Sequence, residues 1–387
     1  MIKLLYISSV VPDTSCGARL AIHRHLVQKQ DFEVAVASYN ATEAETGNNY
    51  QIPNKNKRLT RTRFARVVHN WQYVKNWFVL PGGLLDFARS FEPDVIFTVP
   101  DNIHSGLAYQ LSRKLNVPLV TDYQDLFPLS RFLPDYVKPY PSIRKFLMKQ
   151  FYALHASSSI AFYTSEGMQQ WFGPHKNGSV LYPLGDFSLT EIPFKGHYPE
   201  NRSITVLYAG NCYGAYGRML LELARAVKNH PLIRLKIFPV GKGWSEEDIL
   251  EMTEAGIYQS FMPFEQLKKE FEQADAFLTV MSFEEPEKPF VQTSFTTKWL
   301  DYAPYGKPIF VWGPDYSSAA LFARKYYCGV VTSENKVNKL VKAMEETAGN
   351  RETWQALSQS AKRVAEDELN ASKIHEGFVY KITEVAS

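Results

Sequence analysis

Lys298 and Asp301 lie three residues apart in the stretch TSFTTKWLDYAPYGKPIF, directly behind Thr296 and Thr297. On a helix that spacing puts the ammonium and the carboxylate on one face. Two hydroxyls, a lysine and the free N–H groups of a first helical turn would suit a diphosphate, since all bring donors or positive charge to one small volume. Asp301 could then accept two hydrogen bonds from a vicinal diol such as a ribose. The same residues also read as a solvated helix start with a Lys298–Asp301 surface pair worth about 0.3 kcal/mol. Spacing alone leaves both readings open.

Other loops carry related chemistry. In YAGNCYGAYGRMLLELARAV, Gly210, Gly214 and Gly217 surround a loop that opens a helix, with Arg218 in the first turn. Glycine loop, helix start and cation make an anion site in outline, although Arg218 alone reads equally as a surface residue. The loop SSVVPDTSCGARLAIHRHL carries Gly17 just before a helix. A glycine there lets backbone N–H groups approach an anion, or simply makes a turn. The three-glycine dinucleotide fingerprint is absent, which argues against nicotinamide-type binding. Asp122 and Asp125 in LVTDYQDLFP follow a strand and could orient or deprotonate a hydroxyl. Asp122 as a cap or turn residue fits the stretch equally. His104, after an earlier strand, is the less favoured candidate.

The elements that must position these groups follow from hydrophobic pattern. Short apolar runs (IKLLYISS, EVAVAS, DVIFTV, PLVTD, SIAFYTS, SVLYP) alternate with segments of helical period, which predicts an α/β protein with a parallel sheet covered on both faces. The alternation restarts with SITVLYAG, LIRLKIFPV, YQSFMPF, DAFLTVM, KPIFVWG and GVVTS, so a second doubly wound domain is expected. Between them, 186–202 has proline, glycine and charge but no period, as a linker would. The expected division is a Rossmann-like domain over 1–185, the linker, a second Rossmann-like domain over 203–365 and a C-terminal helix over 366–387 packing back across the junction. Facing sheets of this kind bind ligands in a cleft at the carboxyl ends of their strands. TSFTTKWLDYAPYGKPIF falls between two strands of the second sheet, so it is expected to be a crossover helix with its start at that cleft.

Whole-chain properties agree with a folded protein. At 387 residues two domains are favoured over one, and 45% apolar with 21% charged residues is near the globular average. The net charge of +3 does not by itself argue for nucleic acid. Cys16, Cys212 and Cys328 are far apart, which suggests neither a metal site nor a disulfide framework and fits a reducing, cytoplasmic compartment. The apolar start MIKLLYISSVVP is short and reads as a first buried strand, not a signal peptide.

TTKWLDYAPYGKPIFVWG resembles the Ser/Thr-Lys-x-x-Glu-Tyr-x-x-x-Gly-x-Pro signature of family 4 glycosyltransferases of the two-domain GT-B fold. HASSSIAFYTSEGMQQWFG, VLYAGNCYGAYGRMLLELARAV and FMPFEQLKKEFEQADAFLTV are similar to further family segments, in the family's order over nearly the whole chain. LVTDYQDLFP is similar to an acceptor-side loop of the bacterial polysaccharide branch. The resemblance implies transfer of a sugar from a nucleotide-sugar, UDP-linked, to a glycan or lipid-linked acceptor, with retention, no cofactor and no metal. Lys298 would hold the diphosphate with Thr296, Thr297, Gly210, Asn211 and Arg218, Asp301 would hold the ribose, and Gly17 would let the diphosphate approach the first domain. Departures are visible. Asp301 stands where glutamate is usual, and Thr293 where many members carry a sugar-contacting glutamate. Glu284 and Glu285 lie nearby but out of register, as candidate sugar contacts. Asn211 and Tyr216 replace an arginine and a lysine. A GT-B-like protein that binds nucleotide or glycan with weak or no catalysis is therefore the alternative, and a nucleotide-sugar epimerase a third reading.

KNKRLTRTRFAR, Lys55 to Arg66, has six cations and no acid and runs into NWQYVKNWF. Basic residues beside tryptophan and tyrosine suit an anionic lipid surface, whereas a solvated loop before an aromatic-cored helix is the plainer reading. Nucleic acid is not expected, since no nucleic-acid module accompanies the patch.

Overall fold

The computed structural model describes residues 1–386 except 15–16, 55–57, 131–132, 193, 195–197, 202 and 242. The chain divides into two compact units: Met1–Leu184 with Thr293–Phe295 and Ile374–Ser387, and Gly185–Gln292 with Thr296–Lys373.

The first unit is built on seven strands: β1 (Ile2–Ile7), β2 (Phe32–Ser38), β3 (Asn48–Gln51), β4 (Val95–Thr98), β5 (Leu119–Tyr123), β6 (Ile160–Tyr163) and β7 (Gly178–Val180). They form one parallel sheet in the order β3-β2-β1-β4-β5-β6-β7. Its helices are α1 (Gly17–His23), α2 (Ala65–Lys75), α3 (Gly82–Phe91), α4 (Ser105–Leu115), α5 (Pro141–Ser157) and α6 (Glu166–Phe172). The sequence reason for two covered faces is plain in β1. Leu4 and Tyr6 pack with Val36, Phe97 and Phe162, while Leu5 and Ile7 pack with Ala35, Ile96 and Leu107. A strand apolar at four successive positions, Leu4 to Ile7, can be satisfied only between two layers of helices.

The second unit has β8 (Ile204–Asn211), β9 (Ile233–Val240), β10 (Ala276–Val280), β11 (Ile309–Trp312) and β12 (Val330–Thr332), all parallel, in the order β12-β11-β10-β8-β9. Around it lie α7 (Gly214–Val227), α8 (Glu246–Glu254), α9 (Phe264–Gln273), α10 (Lys288–Thr293), α11 (Lys298–Tyr302), α12 (Ser318–Tyr326), α13 (Val337–Ala348) and α14 (Arg351–Glu366). The last helix, α15 (Ala371–Ala386), is counted with the first unit from Ile374 onward. There Phe378 is buried against the rings of His25, Phe32, Phe97 and Phe162.

Three local expectations need correction. YQSFMPF forms no strand: Tyr258 makes a single parallel bridge to Ile237, and Phe261 is exposed. Asn48–Gln51 does form one, at the sheet edge, with a polar and mostly exposed sequence that carries no apolar signal. The stretch from Thr293 is not one crossover helix. Residues 294–296 are non-helical, and α11 begins only at Lys298 and runs five residues. In the expected linker, residues 193, 195–197 and 202 lie outside the described residues.

Candidate functional site

In the second unit the strand order reverses between β8 and β10, and open α/β sheets bind ligands at the carboxyl ends of strands beside such a reversal. There β8 ends at Gly210 and Asn211. Gly210 has φ +139°, and a Cβ on it would lie 2.8 Å from the Lys298 ammonium. The backbone angle favours glycine, and the missing side chain leaves the room that the ammonium takes. Lys298 Nζ also lies 4.9 Å from the centroid of the Tyr208 ring, a cation–π distance. Two segments nearly ninety residues apart in sequence, each read as anion-binding, thus converge on one ammonium.

What holds Lys298 there is the rest of α11. Trp299, Leu300 and Tyr302 are buried, and Tyr302 stacks on Phe277 at 4.4 Å. The Tyr302 hydroxyl accepts from the Ala209 N–H at 2.8 Å, which ties the helix to the end of β8. Burial lowers the Lys298 pKa to about 8, with the Asp301 charge partly opposing the shift. The ammonium therefore sits where its charge is poorly solvated and an added anion would be favoured. Thr296 and Thr297 precede the helix, with Thr297 exposed and its side chain not capping. A five-residue helix contributes little dipole, so the expected role of the first turn shrinks and the charge of Lys298 carries the argument.

The remaining second-unit candidates are arranged differently. Arg218 and Glu284 form an exposed ion pair. Glu285 pairs with Lys288 at 3.6 Å and is exposed. The Asn211 side-chain oxygen accepts from the Tyr213 N–H at 2.9 Å, shaping the loop ahead of α7. Gly217 packs so closely on the Cys212 carbonyl that a Cβ would sit 2.4 Å from the oxygen. Its purpose is the fit of α7 to the loop.

In the first unit Asp122, in β5, is buried. Gln124 donates to its Oδ2 at 2.8 Å, while Oδ1 has no partner among the described residues. Burial raises its pKa to about 7, with the Gln124 bond opposing. Asp125 is raised to about 6 by the same cause, against a long bond from the Ser294 hydroxyl at 3.5 Å. Both carboxyls are thus poised to exchange a proton near neutrality. Asp122 lines a small cavity with His25, Gln124 and Thr164. Gly17 opens α1. Thr293 is buried, and its carbonyl accepts from Ser165 at 2.5 Å.

Asp101 is the residue that sequence reasoning missed. The first sheet reverses between β1 and β4, and Asp101 joins the two following loops by accepting from the Ser9 N–H at 2.6 Å. It also accepts from the N–H groups of Ile103 and His104 and bonds His104 Nδ1 at 2.9 Å. These bonds, with the His104 charge, hold its pKa near 2 despite burial. His104 Nε2 faces the Tyr39 N–H at 3.2 Å. Both ring nitrogens are thus engaged within the fold. The available signal was an aspartate two to four residues before a helix, a capping pattern.

Among the described residues no group of three His, Cys, Asp or Glu side chains is placed to hold a metal, and no helix is long and apolar enough to cross a membrane. Cys212 and Cys328 are buried thiols, and Cys16 lies outside the described residues.

No family model matches the chain, and no curated protein is similar to it in sequence. Solved structures are similar over its full length. The HepE protein of Anabaena in complex with UDP matches at 13% identity with a TM-score of 0.64, over 99% of this chain and 100% of that one. Sucrose-phosphate synthase of Thermosynechococcus elongatus matches at 13% identity and 0.64, over all of both chains. A glycosyltransferase of Rickettsia africae matches at 10% identity and 0.64, over 99% and 98%. At these identities the likeness defines the fold, which is GT-B: two Rossmann-like domains, each a parallel sheet flanked by helices.

Proposed function

We propose that this chain transfers a sugar from a nucleotide-sugar, UDP-linked, to a glycan or lipid-linked acceptor, with retention and without a metal. The observation that carries the reading is the Lys298 ammonium held against Gly210 at the end of β8 with its pKa lowered by burial. HepE, similar in fold, has been solved with UDP and with UDP-glucose. In the reaction the bond from the anomeric carbon to the diphosphate oxygen breaks and the acceptor oxygen bonds that carbon on the same face that the diphosphate leaves, which is what retention in one step requires. Lys298 balances the charge that develops on the departing diphosphate. Asp301, one turn along α11, takes the ribose diol. Asp122 or Asp125, ionising near neutrality, accepts the acceptor's proton. The setting is cytoplasmic, at or near a membrane surface.

Titration calorimetry with UDP, GDP and their sugars, followed by donor-hydrolysis and transfer assays, tests the reading. Absence of any nucleotide binding overturns it. The second reading, binding without turnover, is favoured by Asn211 and Tyr216 where cations are usual and by Arg218 being neutralised by Glu284. Tight UDP binding with no hydrolysis or transfer to any acceptor supports that reading. Release of UDP with an altered free sugar and no acceptor would indicate an epimerase.

A further inference from the structure

The charge of the chain is distributed very unevenly. Residues 46–85 carry seven Lys or Arg and no acid, and residues 136–165 carry four and no acid. The whole chain has a net charge of only +3, so everything else sums to −8. These two segments meet in the first unit: α2 packs on α5, with Phe78 and Phe146 rings 6.1 Å apart and the Arg66 guanidinium 4.5 Å from the Tyr140 ring. Arg66 is used there, also donating to the Lys138 carbonyl. Lys55 and Lys57 lie outside the described residues. Arg58, Arg61 and Arg63 are exposed, as are Arg144, Lys145 and Lys149 along α5.

Along the same side runs an apolar stripe. Phe64, Val67 and Trp71 follow one another at helical spacing, and Phe78, just past the end of α2, is a fourth large exposed apolar side chain. Their exposures of 52%, 54%, 53% and 68% are far above what burial in a core would leave. Arg63 lies over the Phe64 ring at 4.9 Å and Lys75 over the Trp71 ring at 4.9 Å, so cations and rings alternate on one surface. A solvated helix face does not need four large exposed apolar side chains, and a protein-binding patch does not need to be so poor in acid, the neighbouring Asp135 being paired with Lys138 at 2.8 Å. An anionic bilayer needs both: charge for the headgroups and rings for the acyl boundary.

We infer that the α2 face, with the adjoining face of α5, docks on an anionic lipid bilayer. Trp71 and Lys75 also line a groove of about 450 Å³ with Tyr39, Tyr50, Asn76 and Gly82. A docked face brings that groove to headgroup level, where the polar end of a lipid-borne molecule enters it. The inference is independent of the donor reading, because none of these residues belongs to the Lys298 site.

Flotation with vesicles of phosphatidylglycerol and phosphatidylcholine, or of phosphatidylcholine alone, tests it. The protein should bind the anionic vesicles at low salt, bind neutral ones weakly, and release as salt screens the headgroups. Reversing Arg58, Arg61 and Arg63 to glutamate should weaken binding at least about tenfold. The substitutions Phe64→Ser, Trp71→Ser and Phe78→Ser together should do the same with charge unchanged. UDP binding, measured on each variant, reports that the fold and the separate nucleotide site are intact. Failure of the unaltered protein to bind anionic vesicles overturns the inference, as does full binding by the serine variant. Tighter binding to a single-stranded RNA than to the vesicles would also overturn it.

Discussion

Lys298 is the residue on which the proposed chemistry turns, and its perturbed pKa makes it testable. Lys298→Ala should weaken UDP binding by about 1.5–3 kcal/mol, the worth of a hydrogen bond to a charged group, and leave uridine almost unaffected. Equal losses for both ligands would mean that the lysine supports the fold instead. The free lysine titrates at about 8, and a bound diphosphate raises that value. Affinity should therefore be flat between about pH 7, above the second ionisation of the terminal phosphate at about 6, and about pH 8, and fall about tenfold per unit above that, a fall that Lys298→Ala removes. Asp122 gives a profile in stability rather than affinity. Its folded pKa of about 7 is above the usual 3.8, so between those values the folded state holds a proton that the unfolded state has lost. Stability should fall as pH rises across that window, and Asp125 adds a smaller slope of the same sign. Urea midpoints for Asp122→Asn should show a flatter profile. An unchanged slope would mean that the carboxyl is better solvated than its burial implies.

Among elements, the strands buried on both faces were legible, as were the edge strands β7, β9 and β12; of the four edge strands only β3 was not. β1, β2, β4 and β8 are near-continuous apolar runs because helices cover both sides, and their order along the chain was enough to foresee two parallel sheets. β3, NNYQ, joins the sheet through backbone bonds while Asn48, Asn49 and Gln51 face solvent and only Tyr50 packs, on Phe87, so little in its composition marks it. YQSFMPF misled for the converse reason, since its aromatic residues belong to a loop with Phe261 outward. Spacing singled out Lys298, but the helix assumed beneath it was too long. Gln292 and Thr296 flank three residues that belong to the first unit, an assignment no local pattern contains. The last helix, α15, is another such case: its Phe378 enters a cluster of rings from α15's distant partners β2, β4 and β6. Phe378→Ala should destabilise the first unit by about 3–5 kcal/mol, read as a lowered urea midpoint. A loss below about 1 kcal/mol would mean that α15 is not integral to that core.

At the scale of the whole molecule, each unit has its own sheet and its own hydrophobic core, HepE-like in fold. Two cores make unfolding in more than one step the expectation. That gives ligand binding a location that can be read without knowing the acceptor. A ligand at about one hundred times its Kd stabilises the state that binds it by about 2.7 kcal/mol. If UDP is held by Lys298 and the β8 loop, it should raise the transition that unfolds the second unit and leave the other nearly where it was. Hydrogen exchange should then show UDP-dependent protection over residues 204–217 and 296–302, and Lys298→Ala should abolish it at equal UDP concentration. Protection confined to the loops after β1 and β4 would place the nucleotide with Ser9 and Asp101 instead, and the donor assignment would have to move to the first unit.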